Sequence, residues 1–289
     1  MAKINTVGSN TPKNRITRFV VTVFIVALTI FMVSPFIWMV SAALKKEADV
    51  MTTQLQLIPG YFYPDNFLKV LGFNSASDYH FVRSYWNSIK VGVLSTIVSV
   101  SSSVLAGYAF AKLKFKGSGA LFILYLSQMM IPSQLTLIPR FVIFSEIGLT
   151  GSHWSLILPK IVSVSSTFMM RQAFLSAPDE LRESAKIDGA GEFRIFLQIM
   201  TPMVMPSVAA IATVQFMGSW NSYMDPLIFI SNWRQWTLPL ALNSFVGDTG
   251  RQYGLTMAAC CMATIPVFIV FLSGQKFFLR GLTVGAVKG

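Results

Sequence analysis

Seven side chains able to hold a hydroxyl-rich solute stand in otherwise apolar segments: Gln128, Lys160, Gln215, Trp220, Asn221, Tyr223 and Asp225. Amides and carboxylates pair with hydroxyls, and the indole and phenol rings offer flat apolar faces to the C–H faces of a pyranose. One reading has some of these groups line a path for such a solute. A second reading makes the amides and the acid interhelical hydrogen bonds, worth about 0.6 kcal/mol each in a membrane. Both stay open, since the sequence does not orient the helix faces. Lys160 follows Pro159 inside an apolar run, where a buried cation costs about 2.5 to 3.5 kcal/mol on insertion scales. It must snorkel outward, pair with an acid such as Asp225, or, with Arg140, meet an acidic group on the solute.

The other concentration of chemistry is ELRESAKIDGAGEFRIFLQIMTP, residues 180–202, a long charged run in a chain of which 12% is Asp, Glu, Lys or Arg. Pro178 followed by Asp179 and Glu180 opens a helix, because the exposed amides and the macrodipole favour negative charge there. Gly189 and Gly191 stop that helix after Asp188. Phe193, Phe196, Leu197 and Met200 then recur at helical spacing. The expected shape is helix, tight glycine turn, helix. The apolar side of the second helix would lie against the membrane-embedded part, leaving the Gly-Ala corner as an exposed tip.

These groups must be positioned by membrane helices. The chain is 53% hydrophobic, with 24 Phe, and carries half the roughly 25% charge of a soluble domain. Six stretches approach or exceed the about 20 residues needed to cross a bilayer: 17–44, 88–113, 119–144, 153–174, 203–230 and 255–278. The fold class is an all-α polytopic membrane protein, 1–289 as a single domain, with 178–202 as a loop between the fourth and fifth crossings. The first run is too long, and with Phe36, Trp38 and Met39 too bulky at its end, for a cleaved signal. Pro35 is expected to kink it. In the third segment Pro132, Pro139, Gln128, Ser133 and Gln134 predict a pore-lining stretch, because such residues are expensive facing lipid.

Charge sets the orientation. Lys112, Lys114 and Lys116 form a basic cluster without acids, as do Lys3, Lys13, Arg15 and Arg18, so both belong inside. Residues 45–87 carry balanced charge and many aromatics, which suits the outer side. Both termini are then cytoplasmic, and the net charge of +11 is largely this bias, with no nucleic-acid partner required. Adjacent Cys260 and Cys261 make neither a disulfide nor a metal site, and His80 and His153 are isolated, so no metal and no catalytic residue is expected. No G-x-x-x-x-G-K-[ST] loop occurs, so ATP, if used, binds another chain.

Glu183-Ser184-Ala185, two residues, Asp188-Gly189-Ala190, then Ile199 and Pro202 resemble the EAA loop of ABC-importer permeases. Ser184 and Thr201 stand where that family has mostly Ala and often Leu. IGLTGSHWSLILP (147–159), WNSYMDPLIF (220–229) and GQKFFLRGLTVGAVKG (274–289) are similar to the carbohydrate branch, the permeases of the maltose-transporter type, and the likeness runs from 34 to 289. The resemblance implies the type I importer permease fold, with Glu180, Glu183, Ala185, Asp188, Gly189 and Ala190 coupling the chain to an ATPase. It implies a second related permease, a cytoplasmic ATPase dimer holding ATP and Mg, and an extracellular or periplasmic solute-binding protein. It further implies an oligosaccharide substrate and a multi-pass place among the lipids of a prokaryotic plasma (inner) membrane. An amino-acid or polyamine permease would share the EAA loop. A self-contained carrier would leave that loop without a role, and the chain has neither an internal repeat nor paired membrane acids for ion coupling.

Overall fold

A computed structural model describes residues 12–52, 56–73, 80–247 and 252–286. In chain order the helices are α1 (Pro12–Ala43), α2 (Glu47–Val50), α3 (Asp65–Val70), α4 (Phe81–Lys112), α5 (Ser118–Ser127) and α6 (Leu137–Glu146). They continue with α7 (Trp154–Ile157), α8 (Val164–Ser176), α9 (Asp179–Ile187), α10 (Glu192–Ile195) and α11 (Thr201–Met203). The last four are α12 (Met205–Trp220), α13 (Met224–Phe229), α14 (Leu238–Gly247) and α15 (Tyr253–Ala286). Among the described residues there is no strand.

Three of these are long and apolar enough to cross a membrane unaided: Arg15–Ala43, Phe81–Lys112 and Tyr253–Gln275. The first lies on the outside of the bundle, with Phe19, Phe24 and Phe31 exposed, and meets α15 through an edge-on contact of Phe36 with Phe268. It runs unbroken through Pro35.

The centre of the bundle is α4, whose inward face is Ser84, Ser88, Ser95, Ser99 and Ser103, all buried, together with Gly92 and Gly107. In lipid, helices associate by close packing rather than by water exclusion, so small residues let backbones approach. A Cβ on Gly107 would sit 2.5 Å from the Met170 Cβ of α8 and 2.9 Å from the Arg171 amide nitrogen. Gly274 of α15 meets Thr213 of α12 as closely. These two seams hold α8 against α4 and α15 against α12.

The three middle segments, where continuous helices are expected over 119–144, 153–174 and 203–230, are each interrupted. The third breaks at 131–136, the fourth passes through a 3-10 turn at Leu158–Ile161, and the fifth breaks between Trp220 and Met224. A proline explains each interruption. Pro132, Pro159 and Pro226 lack the amide hydrogen that would bond residues 128, 155 and 222, and the ring presses on those carbonyls. An amide and a carboxylate side chain cap two neighbouring ends of the long helices. Asn66 donates to the Ala43 and Lys45 carbonyls at the end of α1, and the Glu47 carboxylate accepts from the Tyr253 and Gly254 amides at the start of α15.

Candidate functional site

The run 180–202 folds as helix, turn and helix, and its corner is fixed by backbone chemistry. The Gly189 amide donates to the Lys186 carbonyl and the Ala190 amide to the Ala185 carbonyl, the paired bonds that close a helix through a left-handed residue. Gly189 supplies that residue with φ +79. Glu180, Glu183, Asp188 and Gly189 face solvent, whereas Ala185 is buried and Ala190 half-buried against the core below. The second arm is less regular than its spacing predicts. After α10 it widens into a π-helical turn, Phe196–Met200, because Pro202 cannot bond the Gln198 carbonyl. Ile195, Phe196 and Met200 are buried, but Phe193 and Leu197 stay exposed, so only part of the expected apolar side packs inward. At Val204 the chain turns by 78° into α12.

Both arms are held by α4. Lys112, with its side chain 3% exposed, donates to the Ala177 carbonyl at 2.8 Å and to the Asp179 carboxylate at 2.5 Å, gripping the start of α9. One turn earlier, the Tyr108 hydroxyl donates to Glu192 at 2.5 Å, gripping the start of α10. Glu192 also takes Arg182 at 2.8 Å and Lys186 at 2.9 Å, which ties the two arms to each other. The hydrogen bond from Lys112 holds the Asp179 carboxyl below its ordinary range. Burial alone would raise the Glu192 carboxyl, but hydrogen bonds from Arg182, Tyr108 and Lys186 outweigh it and bring it down to about 2. Both acids are therefore ionised at neutral pH, and each bond is charge-assisted.

The polar membrane residues divide. Gln215 donates to Ser163 at 2.8 Å and Ser166 at 2.5 Å, joining α12 to the start of α8. Trp220 is buried and its indole donates to the Ala263 carbonyl at 3.2 Å, joining α12 to α15. For these two the interhelical reading describes what the structure shows. Gln128 and Asn221 are exposed, Tyr223 and Lys160 half-buried, and all four stand at the interruptions of the third, fifth and fourth segments. Asp225 pairs with Arg140 of α6, whose guanidinium lies 4.8 Å over the Phe229 ring. The pairing of Lys160 with Asp225 that the sequence allowed is thus replaced by Arg140. Among the described residues Lys160 forms no ion pair, and its neighbour Ile161 accepts a hydrogen bond from Ser102 of α4 at 2.6 Å.

The sequence of residues 103–284, from the middle of α4 through the loop to the end of the last helix, matches the family described as "Binding-protein-dependent transport system inner membrane component". The chain belongs to that family. It is 33% identical, over 97% of its length and 99% of the relative's, to the arabinooligosaccharides transport system permease protein AraQ of Bacillus subtilis. It is 32% identical, over 88% of its length and 90% of the relative's, to the lactose transport system permease protein LacG of Rhizobium radiobacter. A chain from a bacterial ABC transporter involved in the import of the acidic polysaccharide alginate has the same fold, with a TM-score of 0.83, 21% identity, and coverage of 93% of this chain and 99% of that one.

As an inner-membrane transport component, the chain holds its exposed loop by residues that the motif does not contain. Lys112 was legible in the sequence as an orienting charge, and its bond to Asp179 was not. Tyr108 and Glu192 lie 84 residues apart, and nothing local links them. The one available signal was spacing: residues 108 and 112 are i and i+4 on a helix and share a face.

Proposed function

We propose that the chain is one permease subunit of an ATP-driven oligosaccharide importer. It crosses a prokaryotic plasma membrane six times with both termini in the cytoplasm and forms half of the path beside a second, related permease. It passes solute delivered by an external binding protein. The hydrolytic work belongs to a separate ATPase dimer that binds ATP and Mg and receives the corner formed by Glu180, Glu183, Ala185, Asp188, Gly189 and Ala190.

The observation that carries this reading is the double grip of α4. A loop that met no partner would need no such anchoring; one that is pushed must pass its displacement on. Held at both arms by a 32-residue helix, the corner cannot shift without moving α4 or breaking charge-assisted bonds. The path is supported by the interrupted middle segments. Broken helix backbone is tolerated at membrane depth only where protein or water satisfies it, and such breaks commonly carry transported solutes. Gln128, Lys160, Asn221, Tyr223 and Asp225 stand at the breaks, with Gln215 and Trp220 bracing the helices between them. A carbohydrate cargo is supported by the relatives named for arabinooligosaccharide and lactose transport.

The test is co-purification. Asp188→Lys should release the ATPase from the detergent-extracted complex while the variant chain remains membrane-inserted. Full retention of the ATPase together with normal uptake would overturn the assignment.

A further inference from the structure

On one side of α4, exposed residues recur every three or four positions: Trp86, Lys90, Val93, Ile97, Ser101 and Leu105. This stripe lies opposite the serine face that packs into the bundle. Lys90 is its one charged member. A helix of 32 residues is about 48 Å long, against a hydrocarbon core of about 30 Å, and Lys90 lies about 13 Å from the outer end. With about 9 Å of helix outside the core at each end, Lys90 lies about 4 Å below the boundary, a depth from which a lysine snorkels to the headgroups, with only apolar or small residues on the stripe below it.

Beside Lys90 a cavity of about 370 Å³ opens, lined also by Arg234, Asn87, His153, Trp154 and Gln235. Its walls are fixed. Asn87 donates to the Arg234 and Trp236 carbonyls at 3.0 Å each, and the His153 ring bonds the Gln235 carbonyl at 2.9 Å. Arg234 packs over Trp233 at 5.1 Å, and Trp154 is 51% exposed. No carboxylate lines the cavity, and among the described residues neither Lys90 nor Arg234 forms an ion pair. Two uncompensated cations, a half-exposed tryptophan and an apolar stripe beneath them match an anionic headgroup with its acyl chains running down α4. The cavity reaches α7 of the broken fourth segment, but none of Gln128, Lys160, Asn221, Tyr223 and Asp225, the residues assigned to the path, lines it.

We propose that the cavity between Lys90 and Arg234 binds the phosphate of an anionic phospholipid in the outer leaflet, with its chains against Val93 and Ile97. The site braces the outer end of α4, the helix that grips the cytoplasmic loop at its other end.

The complete transporter, stripped of lipid in detergent, can be titrated with phosphatidylglycerol and separately with phosphatidylcholine, and bound lipid counted by native mass spectrometry. The native complex should take up phosphatidylglycerol in preference. The double variant Lys90→Gln, Arg234→Gln should bind it about twenty-five-fold more weakly, about fivefold for each charge at a lipid surface, with phosphatidylcholine uptake unchanged. Lys90→Arg should retain the preference, and Lys46→Gln, a cation elsewhere on the outer side, should leave it intact. Equal affinity in the native and double-variant complexes, or an equal loss on Lys46→Gln, would overturn the proposal.

Discussion

Lys112 and Asp179 form an asymmetric ion pair: the cation is 3% exposed, the acid 66%, and 2.5 Å separates them. Removing the acid strands a buried charge, whereas removing the cation leaves a carboxylate that water can hydrate. Lys112→Met therefore deletes the grip on α9 without creating a buried ion. Hydrogen bonds to charged groups contribute about 1.5 to 3 kcal/mol, so hydrogen exchange of the amides at 179–187 should accelerate by about tenfold or more. Exchange as slow as in the native complex would show that the pair does not hold the loop.

The same contacts set a pH window. Glu192 titrates near 2 in the folded loop against an ordinary value of 4.5, and Asp179 is shifted in the same direction. A depressed carboxyl stabilises the folded form above its ordinary pKa and loses that contribution as pH falls through the folded value. Protection of the loop amides should accordingly hold from neutral pH down to about 4.5 and fall away between there and about 2, as followed by exchange at matched intrinsic rates. A transition near pH 6 to 7 would mean that other groups hold the loop.

Gly189 has open space around its Cα but a φ of +79. The obstacle to replacing it is thus backbone conformation rather than a clash within the chain. A left-handed non-glycine residue costs about 1 to 2 kcal/mol, with Asn the best tolerated and β-branched residues the worst. Solute-stimulated ATP hydrolysis should rank native, Gly189→Asn, Gly189→Ala, Gly189→Val. Equal activity of the Asn and Val variants would refute a requirement for that turn.

Membrane class and the loop's helix-turn-helix form were legible, because composition and glycine placement are local properties. The corner at Asp188 and Gly189 was readable for the same reason. The interruptions at Pro159 and Pro226 were not. A single proline bends or breaks a membrane helix according to what its neighbours offer the freed carbonyl, and those neighbours are distant in sequence. Gln215 and Trp220 show the same limit from the side of function: their chemistry suits a solute, yet Ser163, Ser166 and Ala263 claim it. Arg140 and Asp225, 85 residues apart, meet only because α6 and α13 are brought together.

The proposed six crossings would place Ser184 inside and Ser231 outside. With Cys260 and Cys261 replaced, Ser231→Cys should react with a membrane-impermeant maleimide on intact cells and Ser184→Cys only after permeabilisation. Labelling of both on intact cells would contradict the orientation.

The most direct test of the central claim is uptake into proteoliposomes holding the complete transporter, with ATP inside and the solute-loaded binding protein outside. The native complex should accumulate a labelled oligosaccharide and hydrolyse ATP faster when solute is present. With Asp188→Lys in this chain both rates should fall to the level seen without ATP or without binding protein. Uptake by that variant at the native rate would contradict the assignment of residues 178–202 as the link between hydrolysis and transport.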